Sequence, residues 1–358
     1  MLNIPFQRLH NERLTGTPFE KPTDIVKWLG AVQSQDYGGA KWALGLRLEG
    51  VTDADIDQAF NDGKILRTHV MRPTWHFVDP ADIRWLLELT APRVNAFNAY
   101  MYRQLELDEA LFQRSNQAIA NALQGGNYLM RSELASVLQQ IGIPADGMRL
   151  GYIVHRAELD AIICSGPRKG KQFTYALLDE RAPQAKTLKR DEALAELIRR
   201  YFISHGPATM QDFAWWSGLT VTDTKMGIEM VKSQLNNEMI DGQTYWFSAS
   251  MSTPLTKDPS PTVHLLPNYD EYTVAYKDRG AIYDPTKAEY LDLQNNFLFN
   301  HTLVIDGQVA GSWRRTFKKR SVVMEFAPFT PLGEAEKQAL AIEMRRFGEF
   351  LNMPVMAL

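Results

Sequence analysis

The segment 130–178 reads MRSELASVLQQIG (130–142), DGMRLGYIVHRAELDAI (146–162) and AIICSGPRKGKQFTYALL (161–178). Apolar residues recur at helical spacing through the first two pieces, and residues 108–124 read as a helix before them. The third piece reads as strand, Gly/Lys-rich turn, strand. Three helices and a two-stranded hairpin are the layout of a winged helix, a helix-turn-helix variant that often places a helix in the DNA major groove.

The same layout recurs on either side, as a pattern rather than as repeated residues. Downstream, DEALAELIRRYFISHG (191–206) is a helix ended by Gly206 and ATMQDFAWWSG (208–218) a second. TVTDTKMGIEMVKSQL (220–235) is a third, with Thr and Asp caps, and NNEMIDGQTYWFS (236–248) is a hairpin around Asp-Gly. Upstream, helices are expected over 24–34, 38–48 and 52–63, then a hairpin ILRTHVMRPTWHFV (65–78). Beyond residue 250 the character shifts. STPLTKDPSP (252–261) reads as a linker, and TVHLLPN, EYTVAYK, HTLVIDGQVAGSW and SVVMEF as short strands. EAEKQALAIEMRRFGEFL (334–351) is a closing amphipathic helix. The expected fold class is therefore α+β: three tandem winged-helix (helix-turn-helix) units over 1–100, 101–185 and 186–250, followed by a small β-barrel and a C-terminal helix over 251–358.

A chain of 358 residues with 45% apolar and 23% charged residues is globular in composition, which excludes wholesale disorder. The formal net charge of −3 means that any nucleic-acid site must come from local basic patches. One cysteine, Cys164, excludes an internal disulfide and thiolate zinc sites, and reads as structural. The early charges and proline do not suit a signal peptide, and no apolar run of about 18 residues is present, so a cytoplasmic protein is expected, with no membrane association. No GxGxxG after a strand, GxxxxGK[ST], HExxH or GxSxG appears, so no cofactor is expected; scattered histidines argue against a metal.

Two places hold polar residues where apolar ones would be expected. On a helix over 24–34 continued to Asp36, Gln33 falls inside the apolar arc and Gln35 at its edge. Helix geometry alone favours an ordinary role, both amides bonding backbone near the helix end, with Asp36 capping the next helix. In the hairpin 65–78, a turn at Arg72-Pro73 would set His69 opposite His76 and Arg67 opposite Val78. Arg67, His69, Thr74 and His76 would then project from one face. Basic runs lie at GPRKGKQ (166–172) and WRRTFKKR (313–320); either could hold phosphates, contacts that position rather than specify.

Together RLTG (13–16), LGAVQSQDYGGAKWALGLRL (29–48), ILRTHVMRPTWHFVDPADIRWLLELTAPR (65–93), SGPRKGKQFTYALL (165–178), HGPATMQDFAWWSGL (205–219), LLPNYDEYTVAYKDR (265–279) and DGQVAGSWRR (306–315) resemble the AlkZ/YcaQ-type winged-helix DNA glycosylases over almost the whole chain. The family's catalytic motif is Gln–apolar–Gln, or Gln–apolar–Asp in one branch. Gln33-Ser34-Gln35 matches the first form, with Ser34 in the apolar position. The resemblance implies three winged helices around a DNA-sized concavity, and a monofunctional glycosylase excising alkylated purines, including cross-linked ones, from double-stranded DNA. It implies Gln33 and Gln35 as the catalytic pair. On that reading the hairpin face with Arg67, His69, Thr74 and His76, plus Arg72, would line the cleft, and Lys169, Lys171, Arg314, Arg315, Lys318 and Lys319 of the basic runs would hold phosphates. The alternative is a non-catalytic winged-helix DNA-binding protein or transcriptional regulator. Regulators usually dimerise, and without an obvious dimer segment a monomer is expected.

Overall fold

The computed structural model describes residues 2–250, 260–283 and 301–357. The linker expected over 252–261 lies almost wholly outside them. The chain is an α+β fold in which one order of elements recurs three times: helix, short strand, helix, helix, hairpin. The first set comprises Pro22–Leu29, Val32–Gln33, Tyr37–Gly45, Asp53–Asn61 and the hairpin Leu66–Val70 with Thr74–Val78. The second comprises Glu109–Leu123, Leu129–Met130, Arg131–Gln140, Gly147–Leu159 and Ile163–Ser165 with Thr174–Leu177. The third comprises Arg190–Ser204, Met210–Ser217, Val221–Val231 and Leu235–Ile240 with Gln243–Ser248. Its short strand shrinks to one bridge, Ala208 to Trp246.

That short strand is the element periodicity does not predict, and it corrects the reading of residues 24–36. The helix ends at Leu29, because Gly30 takes a positive φ of 81° that breaks the helical path. Val32 and Gln33 then pair with Phe77 and His76 as an edge strand. Asp36 caps the following helix as expected, accepting from the Gly39 N–H at 3.1 Å.

The hairpin register also differs from the expectation. Arg67 lies opposite Phe77, Thr68 opposite His76 and His69 opposite Trp75. Met71, at φ 64°, supplies the left-handed residue of a three-residue turn that proline alone could not make. A one-residue slip reverses facings. Arg67 and His69 therefore share a face with Trp75 and Phe77, and Thr74 and His76 lie on the opposite one.

After residue 260 the strands Val263–Leu266, His301–Ile305, Gln308–Phe317, Val322–Pro328 and Val355–Ala357 form one five-stranded sheet. Among the described residues its first and last strands do not pair, so the sheet is open rather than a closed barrel. EYTVAYK, expected as a strand, begins instead with the short helix Glu271–Val274, capped by Asp270. The closing helix, Glu334–Leu351, forms as expected.

Among the described residues three large cores hold these pieces, beside a small cluster of Ala91, Val94 and Leu159. The first joins residues 9–77 to the sheet and last helix: the Trp42 ring packs edge-on to Phe347 at 4.9 Å. The second joins Leu66, Val70 and the helix Ile83–Gln104 to the third set of elements. The last lies within the second set, with Tyr102 and Leu107. A buried polar cluster crosses the first core. Arg47 binds both oxygens of Asp270 at 2.8 Å, and Glu12 at 3.0 Å. Burial pushes the Glu12 carboxyl up to about 8 against the pull of Arg47. No described helix is long and apolar enough to cross a membrane.

Candidate active site

Gln33 sits on the edge strand and is almost fully buried. Its backbone N–H donates to Glu271 Oε1 at 2.7 Å, and its side-chain Oε1 accepts from Arg72 Nη2 at 3.0 Å. Ser34 turns inward and is fully buried. Its N–H donates to the Trp75 carbonyl at 2.7 Å, and its own carbonyl accepts from Arg67 Nη2 at 3.0 Å and Nε at 3.2 Å. Gln35 is exposed, its Oε1 accepting from the Trp75 N–H at 3.4 Å. Every backbone or amide group of the tripeptide that these bonds use is thus fixed from outside, by the hairpin, by Arg72 or by Glu271. An amide oxygen has two acceptor positions, so each glutamine keeps one for a further donor.

Glu271 carries the deepest charge here. It is 1% exposed, and its Oε2 accepts from the Trp216 indole N–H at 2.9 Å, with His205 Nε2 3.6 Å away. Burial pushes its carboxyl up. The His205 ring, the Gln33 N–H and His76 outweigh burial and hold it below the usual carboxylate range. Above it, His76 pairs with Gln33 across the ladder. Burial, reinforced by Arg72, drives its imidazole down to about 3, so it is neutral at physiological pH. Its Nδ1 faces the Thr74 carbonyl at 3.0 Å, and its Nε2 is buried without a partner.

Arg72 reaches the site because the hairpin tip docks on the third set of elements. Gly218, at φ 73°, lies so close that a Cβ there would sit 2.7 Å from the Met71 carbonyl oxygen. The Arg72 guanidinium lies over Trp215 at 5.5 Å, and Arg279 lies over the same ring at 5.7 Å. Arg93 donates to the Gly218 carbonyl at 3.3 Å. A basic, aromatic rim thus borders Gln33.

Of the residues expected at the site, the fold gathers Gln33, Arg72, Thr74 and His76 on one side of the hairpin. Arg67 and His69 belong to the other side. Arg67 is buried between Trp75 (4.2 Å) and Phe173 (4.7 Å), and His69 is 2.6 Å from Glu158 with its ring against Trp75. Lys169 and Lys171 lie exposed on the second hairpin, Lys169 3.5 Å from Glu133. Arg314 is exposed on the five-stranded sheet and Lys318 and Lys319 on the turn between its strands Gln308–Phe317 and Val322–Pro328, whereas Arg315 folds back over Trp313 toward Gly38. Sequence reasoning missed Glu271, Arg279, Trp215 and Trp216. The signal was an acidic pair, Asp270-Glu271, in an otherwise apolar stretch. Among the described residues no group of three His, Cys, Asp or Glu could hold a metal ion.

The family model described as DNA glycosylase AlkZ-like matches residues 26–350. A relative from Streptomyces sahachiroi, named an interstrand DNA cross-link repair glycosylase, is 23% identical over 305 residues, covering 81% of each chain. A solved structure, the Streptomyces sahachiroi DNA glycosylase AlkZ, superposes with a TM-score of 0.79 at 19% identity. It covers 99% of this chain and 98% of that one, which establishes the likeness of fold.

Proposed function

The chain belongs to the AlkZ-like DNA glycosylase family, and from that membership we propose that it hydrolyses the N-glycosidic bond of N7-alkylated purines in duplex DNA, interstrand cross-links included. An N7-alkylated guanine is already cationic and leaves without an acid to protonate it. What is left for the protein is to place a water at C1′ and to face a sugar that develops oxocarbenium character. Neutral amide oxygens suit both roles, since they accept from the water and offer their negative ends to the growing charge without being bases. The observation that carries the reading is the pair Gln33 and Gln35, each oxygen held by one donor and open to another. Glu271 acts through Gln33, anchoring the edge strand on which it stands.

We read the recurring order of elements as three winged helices over 1–100, 101–185 and 186–250, with 251–358 closing against the first. Double-stranded DNA is the partner, and the protein acts as a monomer. Arg72 with Arg279 and Arg93 serves the lesion strand. Lys169, Lys171, Arg314, Lys318 and Lys319 serve phosphates further away. Arg67 and His69 act from behind the motif, fixing Ser34 and Trp75, rather than on DNA.

The test is base release from a duplex carrying one N7-methylguanine. Wild-type protein releases it, and Gln33→Ala and Gln35→Ala each lose about a hundredfold or more in single-turnover rate, the scale seen when one preorganised polar group is removed. Variants that fold normally and release base at the wild-type rate would remove both glutamines from the chemistry.

A further inference from the structure

The long helix Ile83–Gln104 leaves one face of its second half uncovered. Leu87, Val94, Asn98 and Tyr102 lie on its buried side. Phe97 is 76% and Tyr100 61% exposed, the two most exposed aromatic rings among the described residues. Three residues apart, they are neighbours on the helix surface. Arg93, one turn before Phe97, and Arg103, one turn after Tyr100, are exposed as well. No Asp or Glu occurs between Glu88 and Glu106, so the face is cationic. We propose that it is a stacking platform for unpaired nucleobases, and that the enzyme favours a lesion lying beside an unpaired strand; that choice of substrate rests on the glycosylase reading above.

Position ties the face to the glutamine motif. The Met71 N–H at the hairpin tip donates to Thr90 Oγ1 at 3.1 Å, so the tip that carries Arg72 to Gln33 is seated on this helix. Phe97 follows Thr90 by two turns on the same side, about 10 Å along, the length of roughly three stacked nucleotides. Between them Arg93 holds the Gly218 carbonyl beside the tip, and Trp215 stands at the near end with Arg72 and Arg279 over its ring. Rings and guanidinium groups thus interleave from the rim at Gln33 out to Tyr100. Chemistry selects the occupant. A paired duplex keeps its base faces inside its own stack and offers edges and phosphates. An unpaired strand offers a face to each ring and a phosphate to each guanidinium, the pattern of single-strand binding. An apolar protein partner would cover Arg93 and Arg103 and give them no acceptor.

The experiment measures the affinity of the full-length chain for a blunt duplex and for the same duplex with a short oligothymidine tail at its 3′ or 5′ end. A third duplex carries an abasic tail of equal length, which keeps the phosphates and removes the rings. The thymidine tail of one polarity raises affinity about tenfold, the scale of one stacked base, and the abasic tail does not. Phe97→Ala and Tyr100→Ala each reduce that gain and together abolish it, whereas Phe97→Tyr keeps it; both positions are exposed, so no substitution opens a core. Equal affinities for tailed and blunt duplexes overturn the platform and leave the face to a protein partner. A gain that the abasic tail reproduces, or that survives the double variant, overturns it as well. So does an equal loss on blunt and tailed duplexes, since the rings would then be meeting paired DNA. Base release by wild-type protein is measured in parallel, with N7-methylguanine next to the tail junction or inside the blunt duplex. Below saturation, release is faster beside the junction, and equal rates overturn the substrate preference. Release from neither overturns the glycosylase reading and leaves the affinity comparison standing.

Discussion

Glu271 binds two hydrogens that belong to other residues, the Gln33 amide and the Trp216 indole. Removing its carboxylate leaves two buried donors without an acceptor, a loss of about 3 kcal/mol. Glu271→Ala therefore lowers the urea unfolding midpoint, and Glu271→Gln, which keeps one acceptor oxygen, lowers it less. Histidines set the pH response. His76, His155 and His264 are pushed down to about 3, chiefly by burial. At these three positions the unfolded chain takes up protons near 6.5 and the folded chain does not; the raised Glu12 carboxyl opposes one of them, so net stability falls as pH drops below about 6.5. Each histidine contributes a slope of up to about 1.4 kcal/mol per pH unit. Unfolding in urea at pH 7 and pH 5 measures the slope. His264→Phe flattens it, because neither ring nitrogen of His264 has a partner to lose. A midpoint that does not move between the two pH values would contradict this.

At the scale of elements, the hairpin tip decides whether Arg72 meets Gln33. Gly218→Ala puts a Cβ against the Met71 carbonyl, a backbone atom that cannot swing away, and does so at a φ only glycine adopts freely. It costs about 1–3 kcal/mol in unfolding free energy and slows base release further by displacing Arg72. Asp36 was readable as a cap because an Asx side chain caps its own helix through local bonds alone. Gln33 was not readable as a strand residue. Its two-residue strand exists only through pairing with residues 76 and 77, more than 40 positions away, and no local period reports that. The hairpin's existence was legible in its apolar alternation, and its register was not, because Met71 rather than Pro73 supplies the turn's special conformation. Residues 271–277 read as a strand for a similar reason: their apolar side chains are buried on every side, and burial on all sides erases the helical period.

For the molecule as a whole, a net charge of −3 places DNA affinity in patches rather than in a general field. Affinity for duplex DNA falls as salt rises, and Lys318→Ala and Lys319→Ala each shallow the log–log slope by about one. A slope unchanged by both would move the phosphate track off the five-stranded sheet. The family resemblance and the three repeats were legible because they rest on runs of residues. Which segments share a core was not, since Trp42 and Phe347 are 305 positions apart and meet only in the finished fold.

That distance has a consequence for the order in which the protein is made. Chains leave the ribosome N-terminus first and fold as their parts emerge, at roughly 5–20 residues per second. The second set of elements has its whole core in hand once residue 177 is out, and can settle early. The first cannot. Its core waits for strands and a helix from residues 263–350, and Gln33 waits for the carboxylate of Glu271. Of these two sets the earlier-made is the later completed, so a chain that stops short of residue 263 carries the glutamine motif without the partner that anchors it, and glycosylase activity waits for residues 263–350.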